Sequence, residues 1–270
     1  MARITWNDIG SREFSTGIDR GVFYDNEKRG YAWDGLISVS ENNNTKIESI
    51  YYDGSKLKDL AILGEYEGSI TAYQYPEEFE KCQGVMEDTR PGVLLTNQNM
   101  ETFNLTYRTH YGNDVDGLSR YRVHIVYNLT AVPKDVEFNT ISDELEAIEF
   151  NWDITAVPER LSGIRPTAHI ILDSGRILPG LLADIEDILY GYDDNDPTCP
   201  SLEALLGMLD AWARLIIIDN GDGTWRAIIN NEDDYTDLGN NEFRIDTENV
   251  VYLDEHTYEV SSSDRFTEDI

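Results

Sequence analysis

One run of seven residues, Ile148-Glu149-Phe150-Asn151-Trp152-Asp153-Ile154, constrains the fold most tightly. Every second residue is large and apolar, and the residues between are polar or acidic. That is the two-residue period of a strand with one buried and one solvated face. On a helix the same side chains would scatter around the whole circumference. The pattern recurs in Tyr121-Arg122-Val123-His124-Ile125-Val126-Tyr127, which puts Tyr121, Val123, Ile125 and Tyr127 on one face. It begins a third time in Glu65-Tyr66-Glu67-Gly68-Ser69-Ile70-Thr71-Ala72-Tyr73. Sheets wet on one side are antiparallel by preference. With 270 residues, 40% of them hydrophobic, the chain has enough apolar surface for a sizeable core. The expected fold class is mainly β, an antiparallel sandwich or barrel with short helices.

Turn chemistry supports that expectation. Asp25-Asn26-Glu27-Lys28-Arg29-Gly30 separates two apolar runs as a hairpin loop, and Gly112-Asn113-Asp114-Val115-Asp116-Gly117 does the same before Tyr121. Pro76, followed by Glu77 and Glu78, marks the start of a short helix. Helical spacing from Pro179 to Tyr190 stops at Gly191, and a polar linker follows. A second helix is expected from Ser201, as N-cap, to about Trp212. Ile216-Ile217-Ile218, the turn-rich Asp219-Asn220-Gly221-Asp222-Gly223 and Trp225-Arg226-Ala227-Ile228-Ile229 form another hairpin signal, with short strands near Phe243 and over 250–253. Two domains are therefore expected: a β domain over residues 1–196 that ends in a helix, and a small acidic α+β module over 197–270. Residues 40–46 read as an extended, exposed polar loop, a candidate for contact with a neighbour.

Charge narrows the function classes. The chain holds 21 Lys+Arg against 52 Asp+Glu, a formal charge of −31. Such a surface does not bind nucleic acid by charge, and it is repelled by an anionic membrane. Residues 197–270 carry four Arg and 17 acids, or −13, and the first 196 residues carry the remaining −18. Acidity is thus a property of both parts. Only six of the basic residues are Lys, a balance that also fits a protein adapted to high salt. The N-terminus lacks the apolar run of a signal peptide, and the apolar stretch 205–218 is broken by Asp210 and Arg214, so an intracellular product without membrane insertion is expected.

Catalytic constellations are weak. No nucleophile elbow, P-loop or dinucleotide fingerprint occurs. His110, His124, His169 and His256 never share i, i+4 spacing, and in strand patterns a satisfied imidazole is ordinary. Residues 219–230 fail the calcium-loop register, with Gly221 and Gly223 at ligand positions and Asn230 where Glu is needed. Cys82 and Cys199, far apart, read as two buried thiols, with a single disulfide left open. The expectation is a non-enzyme with no catalytic residue, no metal and no cofactor. A carbohydrate-binding or hydrolytic β-sandwich using exposed aromatics and paired acids is the different-class alternative.

Several segments, taken in order, resemble a known family. Thr16-Gly17-Ile18-Asp19-Arg20-Gly21-Val22-Phe23-Tyr24 and Trp33-Asp34-Gly35-Leu36 open the series. Tyr51-Tyr52-Asp53-Gly54, Tyr73-Gln74-Tyr75-Pro76-Glu77-Glu78-Phe79, and Tyr107-Arg108-Thr109 with Gly112-Asn113-Asp114 continue it. Thr155-Ala156-Val157-Pro158 and Pro166-Thr167-Ala168-His169-Ile170-Ile171-Leu172-Asp173 close it. This ordered set is similar to the major tail (tail tube) proteins of long-tailed, siphovirus-like phages, over most of residues 14–190.

The resemblance implies a β-sandwich of the phage tail-tube type that joins copies of itself into stacked, hexameric rings in a virion tail, assembled in the host cytoplasm. The lumen would hold the tape-measure protein and later pass DNA without binding it. Six copies would carry 6 × −31 = −186, so acids are expected on the lumen and outer surfaces. Glu65, Glu67, Glu149 and Asp153 are the lumen candidates, and Glu41, Asn42, Asn43, Asn44, Thr45 and Lys46 the ring-stacking candidates. A minor or tail-tip (distal tail) protein of the same fold is the alternative within the family.

Overall fold

The computed structural model describes residues 9–10, 12–42, 44–62, 64–115, 117–140, 147–161, 163–192 and 195–212, and beyond these the backbone of seven strands. Two compact units emerge, one of Met1–Arg176 with Glu186–Pro200, the other of Ile177–Ile185 with Ser201–Ile270.

The first unit is mainly β. Its strands are β1 (Phe14–Tyr24), β2 (Gly30–Ala32), β3 (Leu36–Asn42), β4 (Lys46–Tyr52), β5 (Ser55–Ile62) and β6 (Glu67–Ala72). After a 3₁₀ helix at Glu77–Gln83 come β7 (Met86–Glu87), β8 (Leu94–Leu95), β9 (Phe103–Asn113), β10 (Gly117–Pro133), β11 (Phe150–Ala156) and β12 (His169–Asp173). An eight-stranded antiparallel sheet runs β2-β1-β9-β10-β11-β6-β3, with β12 also paired to β10. Both expected hairpins form: Val22 pairs with Ala32 in one, and Gly117 with Asn113 in the other.

Strand β10 makes the sheet curl. Residues 122–126 pair with β12 and residues 129–133 with β11. Between them the register slips at Asn128, whose φ of 52° lies in the left-handed region. Its backbone N–H leaves the ladder and donates to Asn104 Oδ1 at 2.9 Å. A bulge of this kind bends a strand and lets it serve two neighbours.

The core is aromatic. Phe79, delivered by the 3₁₀ helix, meets Phe23, Trp33, Phe103 and Trp152 with ring centroids 4.8–5.4 Å apart. Three of these four contacts are edge-to-face, the arrangement favoured by ring quadrupoles. Both indoles keep their N–H groups satisfied: Trp33 donates to Gln74 O and Trp152 to Gln83 Oε1. The short helix expected from Pro76 forms as a 3₁₀ turn over Glu77–Gln83, and Gly84 ends it at φ 77°.

Two sequence expectations need correcting. Strand β10 was expected to be wet on the face opposite Val123 and Ile125, yet residues 123–127 are all buried. Val126, on the opposite face, joins the aromatic core, and the Val123–Ile125 face is covered by the segment after residue 186, which folds back over it: Tyr24 donates its hydroxyl proton to Leu189 O, and Gly30 N–H donates to Pro197 O. Ile148 was placed inward with Phe150 and Trp152. It precedes β11 and stands 40% exposed. Cys82 and Cys199 are both free and buried.

In the second unit α1 (Pro179–Tyr190) begins, and its last turns belong to the first unit. Helix α2 (Leu202–Trp212) follows, with Ala204 N–H capped by Ser201 Oγ at 3.2 Å. Backbone strands β13 (Leu215–Asp219), β14 (Trp225–Ile229), β15 (Tyr235–Gly239), β16 (Glu242–Ile245), β17 (Val251–Asp254), β18 (Thr257–Glu259) and β19 (Arg265–Thr267) form two antiparallel sheets. The expected 216–229 hairpin is present as β13–β14; its turn lies outside the described residues. Among the described residues no helix is long and apolar enough to cross a membrane.

An ion pair ties β1 to β9. Arg108 donates from Nε and Nη2 to the two oxygens of Asp19 at 2.9 and 2.8 Å, and His110 Nε2 lies 2.9 Å from Asp19 Oδ2. The Arg108 hydrogen bonds hold the Asp19 carboxyl down to about 2, from 3.8. A carboxyl depressed on folding stabilises the protein above its unfolded value and loses that contribution as pH falls through the folded one. Between pH 4 and pH 2 the wild type should therefore lose about 1 kcal/mol that Asp19→Asn does not, after discounting for solvent screening. Urea unfolding of both proteins at several pH values checks this.

Candidate functional site

Two features stand apart from the core. The first is the β4–β5 hairpin, which among described residues pairs only with itself. Its two-residue turn uses Asp53 and Gly54 at φ 52° and 75°, the doubly positive geometry that matches strand twist. Ile47, Ile50, Tyr51, Tyr52, Leu57 and Leu60 all lie exposed, from 40% for Leu60 to 74% for Tyr52. A lone two-stranded ribbon with apolar residues in solvent is marginal in water and gains stability when covered. Charge differs here too: Lys46, Lys56 and Lys58 offset Glu48, Asp53 and Asp59, so residues 46–62 are neutral in a chain of −31.

This hairpin was not anticipated as such. The proposed contact loop 40–46 turns out to be its root: Glu41 and Asn42 end β3, Lys46 begins β4, and Asn44 and Thr45 join them. Asn43 lies outside the described residues. Asp-Gly between apolar-rich runs is a hairpin signal, and it was present in Tyr52-Asp53-Gly54-Ser55.

The second feature is a cluster on one face of β9, β10 and β12. Tyr107 pairs directly with His124, and His169 sits diagonally from His124, since Ile171 faces His124 and Val126 faces His169. Diagonal same-face neighbours are within reach of ring side chains. Tyr107 stacks on His124 at 4.6 Å, and His124 on His169 at 5.2 Å. His124 Nδ1 lies 3.0 Å from His169 Nε2, and its Nε2 lies 3.0 Å from Thr109 Oγ1. Glu41 reaches over from β3, with Oε1 3.5 Å from His124 Nδ1 and Oε2 3.8 Å from His169 Nδ1. Tyr107 donates its hydroxyl proton to Glu41 Oε1.

Gly68 makes this reach possible, because a Cβ there would lie 2.1 Å from Ser40 O and push β3 away. The hydrogen bond to His124, backed by Tyr107, holds the Glu41 carboxyl down to about 2. Burial depresses His169 to about 4 and raises the Tyr66 and Tyr107 phenols. At neutral pH Glu41 is therefore anionic and His169 neutral. The cluster opens on a cleft of about 740 Å³ that Glu41, Glu65, Tyr66, Arg165 and His169 help to line. His124 and His169, read from the sequence as ordinary strand imidazoles, are in direct contact. Only the β10–β12 register brings them together.

The four acidic candidates lie on or beside β6 and β11. Glu67 on β6 and Asp153 on β11 are diagonal neighbours, because Thr155 faces Glu67 and Ser69 faces Asp153. Asp153 is paired with Lys134 at 2.7 Å. Glu65 lines a depression together with Glu67 and also borders the cleft, and Glu149 is exposed just before β11.

No family model and no curated protein matches the sequence. Among solved structures, a chain of the six-fold-symmetrised anti-feeding prophage baseplate aligns with 63% of this chain and 97% of its own length. Identity is 9% and the TM-score 0.26. That likeness is too slight to assign a family.

Proposed function

We propose that this chain is a structural subunit of a phage-type tail that assembles with copies of itself. The observation that carries this reading is the β4–β5 hairpin, a neutral, apolar ribbon projecting from an acidic protein without a partner strand among the described residues. A second copy suits it as occupant. A neutral ribbon meets the acidic surface of a copy without like-charge repulsion, and covering it removes apolar side chains from water. The ordered sequence resemblance supports the same class.

Within that class the reading is a tail-tube subunit. Rings, hexameric by the resemblance, stack through the hairpin and its root at Glu41–Lys46. The tape-measure protein occupies the lumen, and DNA passes without sticking because carboxylates such as Glu65, Glu67, Glu149 and Asp153 repel phosphate. The protein acts without catalysis, in the virion tail. The additional unit with α2 and strands β13–β19 favours a second reading, a tail-tip protein of the same fold with an added contact module.

Negative-stain electron microscopy of concentrated protein at low and high salt tests both. Long tubes with a regular axial repeat are expected for the tube subunit, and single rings or short caps for the tip protein. A monomer at every salt concentration overturns the self-assembling reading.

A further inference from the structure

We propose that Glu41, His124 and His169 bind one divalent transition-metal ion of the zinc class, with a further coordination position open to the cleft. The three side chains each offer one donor atom, and these atoms lie within 4.8 Å of one another. Zinc binds imidazole nitrogen and carboxylate oxygen at about 2.0–2.2 Å. At such lengths the 3.0 Å separation of His124 Nδ1 from His169 Nε2 subtends roughly 95° at the ion, and the 3.5 Å separation of His124 Nδ1 from Glu41 Oε1 roughly 115°. These two angles bracket the tetrahedral value; Glu41 approaches His169 at its other nitrogen, so the carboxylate swings towards Nε2 to complete the set.

Hydrogen bonding around the cluster points the same way. Thr109 Oγ1 can accept a proton from His124 Nε2, and in that tautomer Nδ1 is free to take an ion in place of the hydrogen bond it otherwise gives Glu41. Two imidazole nitrogens and a carboxylate then converge as a donor set that one cation can share. Thr109 fixes one ligand and the Tyr107 hydroxyl holds another, which is the outer support that metal-binding imidazoles and carboxylates use. Two nitrogens and one carboxylate suit zinc, iron, nickel or copper, whereas calcium and magnesium select all-oxygen sets. The cleft provides both an entry path and room for a water ligand.

An ion here joins β3, the strand leading into the hairpin, to β10 and β12. Binding only the folded state raises stability by mass action and anchors the hairpin root.

The test uses the full chain, stripped with chelator and titrated with Co²⁺ under visible absorption, then with Zn²⁺ as competitor. One equivalent of Co²⁺ should give d–d bands that Zn²⁺ abolishes, and Zn²⁺ but not Mg²⁺ should raise the thermal midpoint. Glu41→Gln and His169→Gln should each weaken Zn²⁺ binding about tenfold or more. His110→Gln, altering an imidazole beside Asp19, should leave it unchanged. Far-UV circular dichroism checks that the variants fold; Glu41 sits at an open strand end, so that substitution preserves the fold even if His169→Gln does not. Absence of d–d bands overturns the proposal. So does Zn²⁺ binding that Glu41→Gln leaves intact, as diffuse binding to 52 acids would produce. A midpoint that responds to pH but not to Zn²⁺ also overturns it, assigning the cluster a proton instead.

Discussion

Trp152→Ala is expected to lower the unfolding free energy by about 3–5 kcal/mol. Trp152 is buried in the centre of β11, with Phe79 at 5.2 Å and 86° on one side and Tyr75 and Trp33 at 5.5 and 5.9 Å. Truncation removes a large apolar area, leaves a cavity among rigid rings and deprives Gln83 Oε1 of its indole donor. The surrounding aromatics cannot readily collapse into the space, because Phe79 is fixed by the 3₁₀ helix and Trp33 by its indole hydrogen bond to Gln74 O. Domains of this size are stable by only about 5–15 kcal/mol, so the variant should unfold at a much lower urea concentration. Far-UV circular dichroism through the transition measures it. A loss below about 1 kcal/mol means that Trp152 does not fill the core.

Replacing Ile47, Tyr51, Tyr52 and Leu57 together with serine is expected to abolish self-assembly while leaving the subunit folded. All four are more than 60% exposed in the isolated chain, and the hairpin carries no strand of the main sheet. Each apolar side chain covered at a contact contributes about 1.5–3 kcal/mol. Losing four weakens association by at least about four orders of magnitude. Sedimentation velocity and electron microscopy report the assembly, and circular dichroism the fold. Tubes or rings that persist in the variant remove the hairpin from the assembly interface.

How much was legible in advance depended on the range of the interaction concerned. Residues 150–156 read correctly because strand alternation is written in consecutive residues, and Ser201 and Gly191 bounded their helices because caps act within one turn. Ile148 was misplaced because periodicity does not say where a strand begins. The burial of both faces of β10 was illegible, since it depends on a segment more than 50 residues later folding back. Glu41 was read as part of a polar loop; its carboxylate meets His124 and His169 only because β3 and β12 approach the same stretch of sheet.

By itself, then, the sequence determined the strand-rich class, the main hairpins, the helix limits and the acidic surface, all consequences of local pattern and composition. Tertiary structure alone decided which strands share the curled sheet, which aromatics surround Phe79, and that two histidines 45 residues apart touch. Pairing register is a long-range choice. Shifting β12 by one residue against β10 would send His169 to the opposite face from His124.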